Sequence, residues 1–197
     1  VRASSQQRVT ATARIVSAER VYDGWVKLDR VSLLMPDGAQ VERHIERPGP
    51  AVCVLPYDKD QRRALFVSMP RAAVIDAGEA PLLEVIAGAL GSEEAAECAR
   101  REALEEAGVR LSELEPAGVV WTMPSHSSEK ITLFLAPFTA ADVIAQGGGA
   151  ADENENITVV EMGLDTLWRA LMRNELKDMK TMVLVQALFM RHPHLAG

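Results

Sequence analysis

The chain has 197 residues, a formal net charge of −7 and a pI near 5.2, a length that suits one domain with a small appendage. With 48% apolar and 25% charged residues it has the balance of an ordinary globular protein. The acidic balance, without any Lys/Arg-rich run, argues against nucleic acid or an anionic membrane surface as partner.

Cys53 and Cys98 are the only cysteines and have no CxxC spacing, so neither a disulfide framework nor a structural zinc site is suggested. Residues 1–14 are polar and lack the apolar core of a signal peptide. No apolar run approaches a membrane span. The expected location is therefore cytoplasmic.

In chain order, Arg14 to Tyr22 and Trp25 to Met35 are short runs rich in Val, Ile and Leu that read as strands. The turn Pro36-Asp37-Gly38 leads into the polar run Ala39 to Arg47. Pro48-Gly49-Pro50 breaks the pattern and marks a boundary between an N-terminal β appendage (1–47) and the main domain (48–197). Ala51 to Tyr57 and Arg63 to Met69 form a hairpin around Asp58-Lys59-Asp60, and Pro81 to Ala87 is an apolar run ending at Gly88.

Ser92 to Ala107 reads as a helix, with Ser92 as N-cap and Gly108 as terminator. Ala95, Ala96, Ala99, Ala103 and Ala107 recur at helical spacing, a small-residue stripe able to lie close on a sheet. Val119 to Trp121, Ile131 to Phe138 and Ile157 to Glu161 read as strands, with a Gly-rich then acidic loop at 146–156. Helical segments at 165–173 and 178–190 close the chain. Strands interleaved with few helices imply a mixed α/β domain.

The chemistry starts in the predicted helix. Glu102 and Glu106 are an i,i+4 pair and Glu105 lies three on from Glu102, so all three crowd one side. Glu97 can be offset by Arg101 four residues on, whereas the i±3 and i±4 neighbours of Glu102 are Cys98, Ala99, Glu105 and Glu106. A hard divalent cation would relieve that repulsion, since Mg2+ takes one or two carboxylates together with substrate phosphates. The plainer alternative is a solvated acidic helix face.

Residues 84–109 resemble the Nudix box, Gx5Ex7REUxEExGU with U aliphatic. Its second half matches Arg101-Glu102-Ala103-Leu104-Glu105-Glu106-Ala107-Gly108-Val109. The first half is one residue short: counting on from Gly88 reaches Glu94, and counting back from Arg101 reaches Glu93, so either is a candidate for the box's first glutamate. Within the family the chain is similar to the ADP-ribose and GDP-mannose pyrophosphatase branch. Ser68-Met69-Pro70-Arg71, Leu83 to Gly88 and the acidic loop Ala151 to Ile157 carry that likeness. The loop resembles that of ADP-ribose enzymes, whereas the shortened box with Cys98 resembles that of GDP-mannose enzymes.

The resemblance implies an α/β/α sandwich with a mixed sheet, an antiparallel β appendage that forms a homodimer, and Mg2+ as cofactor, with Mn2+ able to substitute. It implies Glu102 and Glu106 as principal metal ligands, Glu105 as a supporting one, and the Ala87 carbonyl as a backbone ligand. Glu153 and Glu155 match the loop acids, with Glu153 favoured as general base. Arg47 and Arg71 match arginines that hold the diphosphate or terminal ribose, where guanidinium can pair two oxygens at once. Trp25 matches an aromatic that stacks on the nucleobase, its alternative being a buried sheet aromatic. Glu129 matches a glutamate on the substrate side of its loop. In that loop Met123-Pro124-Ser125-His126 replaces the branch's Ser-Pro-Gly-Gly.

The implied reaction is hydrolysis of the pyrophosphate bond of a small-molecule nucleotide sugar, ADP-ribose to AMP and ribose 5-phosphate first, GDP-mannose or a relative next. The competing reading is a Nudix-like module that senses nucleotide sugars without cleaving them. Retention of Glu102, Glu105 and Glu106, with no helix-turn-helix pattern, favours catalysis.

Overall fold

The computed structural model describes residues 12–149 and 156–197. Their contacts separate into two compact units, one made of residues up to 49 with 121–129, the other of 50–120 with 130–197.

The first unit is an antiparallel three-stranded sheet, β1 (Arg14–Asp23), β2 (Lys27–Leu34) and β3 (Gln40–Glu46), in that order. The Pro36-Asp37-Gly38 turn closes with Gly38 donating to the Met35 carbonyl and Met35 to that of Ala39. Gly38 takes the positive φ that such a turn demands. The segment 121–129 joins this sheet through Glu46, whose N–H donates to the His126 carbonyl at 2.7 Å and whose carbonyl accepts from Ser128 N at 3.0 Å.

The second unit is built on β4 (Ala51–Asp58), β5 (Arg63–Ser68), β6 (Ile86–Ala89), β7 (Glu115–Trp121), β8 (Lys130–Pro137) and β9 (Thr158–Gly163). Strand order is β7-β8-β4-β5-β9, with β4 and β8 parallel, so the sheet is mixed. The β4–β5 pair is joined only at its turn end, Tyr57 opposite Ala64 and Asp58 opposite Arg63. Beyond that the strands part, and the run 84–89 enters between them. Glu84 bridges to Val67 of β5, while 86–89 pair antiparallel with Val54 to Ala51 of β4.

Period-two alternation along β4 sends Cys53, Leu55 and Tyr57 to one face and Val52 and Val54 to the other. On the first face they meet α3 (Leu164–Met172) and α4 (Met179–Arg191) through Leu164, Leu167, Leu184 and Leu188. On the second they meet α2 (Ala95–Ala107) through Cys98, Ala99, Ala103 and Ala107. The result is the expected α/β/α sandwich. The alanine stripe packs as expected, because methyl-sized side chains let the helix backbone approach the strands closely.

Two details differ from expectation. Helix α2 begins at Ala95, with Glu94 rather than Ser92 at the N-cap and no side-chain cap. A short helix, α1 (Ala72–Asp76), follows Arg71. Gly108 ends α2 in the left-handed region at φ 67°, as its sequence position implied. Among the described residues no helix is long and apolar enough to cross a membrane.

Candidate active site

The site is assembled where α2 crosses β6. Glu102 and Glu106 lie one turn apart on the buried side of α2, beside Ala99 and Ala103, and both are themselves buried. Glu106 Oε2 accepts the backbone N–H of Ala87 at 3.3 Å. Glu102 lies directly over Gly88, where a methyl group would fall 1.8 Å from its Oε1. Gly88 has an ordinary φ, so the glycine is required here for room rather than for backbone freedom. Two carboxylates thus converge on the Ala87-Gly88 backbone, the element from which the resemblance draws a carbonyl ligand.

Glu105 is turned differently. It accepts from Arg101 Nη1 at 2.7 Å and is half-exposed. Among the described residues no three acidic, histidine or cysteine side chains gather closely enough to enclose an ion. The donor set at β6 is therefore two oxygen ligands from side chains, which fits a hard cation that completes its shell with substrate phosphate and water.

The charge pairing of α2 corrects the helix-spacing argument in two places. Glu97 pairs with Arg100 at 2.7 Å rather than with Arg101. Arg101 instead serves as a hub, reaching Glu93 at 2.8 Å, Glu105 at 2.7 Å and its own neighbour Glu102 at 2.9 Å. A long guanidinium can swing to an adjacent residue and to the loop before the helix, contacts that i±3 and i±4 rules leave out.

This hub sets the two glutamates of the shortened box apart. Glu93 accepts from both Nε and Nη2 of Arg101, at 3.2 and 2.8 Å, whereas Glu94 is exposed at the N-cap. Those bonds hold the Glu93 carboxyl below its ordinary value, and they push the Arg101 guanidinium further above its own. Burial, with Glu93 nearby, pushes the Cys98 thiol up to about 11, so it stays protonated and is no nucleophile at neutral pH.

A lowered folded-state pKa stabilises the fold above the unfolded value, and that stability is lost as pH falls through the folded value. Melting temperature followed from neutral into acid should therefore fall more steeply for the wild type than for Glu93→Gln. Parallel curves would show that the Arg101 hub does not couple to folding.

Arg71 stands at the N-cap of α1 and donates through Nε and Nη2 to the two oxygens of buried Glu84, at 2.9 and 3.0 Å. The edge of the fork that could have paired two phosphate oxygens is thus directed at a carboxylate. The sequence offered no sign of this. Glu84 carries a second cation, Lys180, which sequence reasoning missed.

The described part of the glycine run before the acidic loop is tied to α2: Gly148 N donates to the Glu106 carbonyl at 2.8 Å and Gly149 N to that of Glu105 at 3.0 Å. A methyl on Gly147 would fall 2.3 Å from the Glu106 carbonyl, and one on Gly108 2.1 Å from that of Ala145. Glu153 and Glu155, the expected loop acids, lie outside the described residues.

Three expected substrate contacts belong to the first unit. Trp25, in the β1–β2 turn, is 99% exposed and so is not the buried sheet aromatic of the alternative reading. Arg47 donates its backbone N–H to the Lys27 carbonyl at 2.8 Å and its Nε to Asp29 at 3.0 Å. Glu129 is half-buried, with its N–H donated to Ser127 Oγ at 3.2 Å. In the same loop Ser125 Oγ and His126 Nδ1 are 3.0 Å apart, and the imidazole is exposed.

The family model for the NUDIX domain matches residues 47–182. A GDP-mannose pyrophosphatase of Cronobacter sakazakii is 31% identical over 163 residues, covering 81% of this chain and 84% of that protein. An ADP-ribose pyrophosphatase of Escherichia coli strain K12 is 30% identical over 189 residues, covering 92% and 90%. A crystal structure described as an ADP compounds hydrolase superposes with a TM-score of 0.73 at 21% identity, over 94% of this chain and 95% of that one, a likeness of fold. With the Arg101 hub and the Glu102–Glu106 pair seated on β6, these matches place the chain in the Nudix family, as a pyrophosphohydrolase related to the ADP-ribose and GDP-mannose enzymes.

Proposed function

We propose that this protein hydrolyses the pyrophosphate bond of a nucleoside diphosphate sugar, ADP-ribose to AMP and ribose 5-phosphate in first place, with GDP-mannose or a related nucleotide sugar next. The single observation that carries the reading is the burial of Glu102 and Glu106 together against Ala87-Gly88. Two carboxylates set side by side over one strand backbone form an oxygen-donor pair of the kind a hard divalent cation takes.

Glu102 and Glu106 would hold Mg2+, or Mn2+ in its place, with Glu105 and the Ala87 carbonyl in support. A divalent ion bound there supplies charge neutralisation on the diphosphate and orients water for in-line attack. For Glu105 to join, its carboxylate has to leave Arg101, which keeps Glu93 and Glu102 as partners. Glu153 or Glu155 takes the water's proton, with Glu153 preferred, a step worth about 10²–10⁴-fold.

Arg71 contributes positive charge toward the diphosphate from a guanidinium already oriented by Glu84. Arg47 and Glu129 are assigned to substrate binding. Trp25 offers an exposed aromatic face suited to a nucleobase. The three-stranded sheet β1–β2–β3 is proposed to pair two copies into a homodimer, working in the cytoplasm.

The test is a panel of nucleoside diphosphate sugars incubated with Mg2+, with release of nucleoside monophosphate measured. ADP-ribose is expected to give the highest kcat/KM, followed by GDP-mannose. No turnover of any member would favour the sensing module instead.

A further inference from the structure

The charges behind Arg71 continue into α4. Glu84 is only 3% exposed, and beside the two bonds from Arg71 its Oε2 accepts from Lys180 Nζ at 3.3 Å. Lys180 is bonded in turn to Asp178 Oδ1 at 2.6 Å. The other Asp178 oxygen caps α4, accepting from Thr181 N at 2.9 Å and from Thr181 Oγ1 at 2.7 Å. Fully buried Thr181 then accepts the backbone N–H of Val85 through Oγ1 at 2.8 Å.

The first turn of α4 therefore grips two consecutive residues of the strand run, Glu84 by its side chain and Val85 by its backbone. The positions gripped lie three and two residues before Ala87. Along the row the charges alternate, with Arg71 positive, Glu84 negative, Lys180 positive and Asp178 negative. Burial alone would push the Lys180 ammonium down, but Asp178 and Glu84 more than offset this and keep it charged.

A buried glutamate with Arg71 as its sole cation would cancel most of the field that Arg71 presents to an anion. A second cation behind the carboxylate takes up part of that negative charge, and the positive potential at the outer side of Arg71 survives. We infer that Lys180 is a positioning residue for substrate: by sharing Glu84 with Arg71 it sets how strongly Arg71 attracts the diphosphate, without itself touching the reacting atoms. This rests on the reading of Arg71 as a diphosphate contact in a nucleotide-sugar hydrolase.

The test compares kcat and KM for ADP-ribose at saturating Mg2+ in the wild type, Lys180→Met, Lys180→Arg and Asp178→Asn. Lys180→Met is expected to raise KM roughly five- to tenfold with kcat changed by less than about threefold. Lys180→Arg should restore KM. Asp178→Asn keeps a cap acceptor but removes the charge drawing Lys180 away from Glu84, so its KM should fall.

A merely structural role would lower kcat or melting temperature without this split in KM. Unchanged KM in Lys180→Met, a kcat effect in its place, or no rescue by arginine would overturn the inference while leaving the hydrolase reading intact. Should Lys180→Met fail to fold, Asp178→Asn decides, and a KM that is not lowered overturns the inference. A wild type inert toward the whole panel overturns both.

Discussion

Glu106→Gln is expected to lose at least about 100-fold in turnover while keeping its fold, because the substitution removes a charge proposed to bind metal and little else. Glutamine has the shape of glutamate, and its amide oxygen can still accept the Ala87 N–H that Glu106 accepts now at 3.3 Å. The site lies against alanines and β6, so packing is preserved. Losing one of the two carboxylates buried a turn apart on α2 should even relieve repulsion in the metal-free protein.

The effect separates cleanly from a folding defect by calorimetry. Added Mn2+ should raise the melting temperature of the wild type, since a ligand that binds only the native state stabilises it by mass action. In Glu106→Gln that rise should shrink or vanish. Near-normal turnover with an undiminished metal-induced shift would contradict the assignment of Glu106 as a ligand.

Gly88→Ala should be almost as damaging to activity for a different reason. The added methyl would overlap the Glu102 side chain, 1.8 Å from Oε1, 2.1 Å from Cδ and 2.6 Å from Cγ. Those atoms are the far end of a flexible chain, so the carboxylate gives way rather than the strand, and destabilisation should stay within about 1–3 kcal/mol. Misplacing a ligand by an ångström can cost about 100-fold in rate, and a loss of that order is expected here. Adding Glu102→Gln to Gly88→Ala should then bring little further loss, because both act on the same carboxylate. Wild-type turnover in Gly88→Ala would show that the place of Glu102 over the strand does not matter.

Most of the scaffold could be read in the chain. The short apolar runs at 51–57 and 63–69 around Asp58-Lys59-Asp60 marked β4 and β5, and Pro36-Asp37-Gly38 marked the turn between β2 and β3, because apolar runs and turn chemistry are local properties. The alanine stripe and Gly108 marked α2 for the same reason. Helix α1 escaped because five residues are too few to display a helical period.

The site was less legible. Its pairings join residues that no local rule connects: Glu84 and Lys180 stand 96 positions apart, and Arg101 reaches back eight positions to Glu93. Reading Glu102 against its helical neighbours alone missed Arg101 beside it. The missing residue in the box left Glu93 and Glu94 equivalent on paper, and only the direction of the guanidinium separates them.

The clasp between the glycine run and the end of α2 bears on how such enzymes can be recombined. Gly108 and Gly147 each admit a neighbouring main chain where a side chain would collide, and Gly148 and Gly149 complete the join by hydrogen bonds. A chimera that exchanges residues 150–155 with those of a relative therefore inherits a ready-made mount. Moving the cut back to 145 would import a foreign root onto α2 and should fail unless the donor also supplies its own helix terminus.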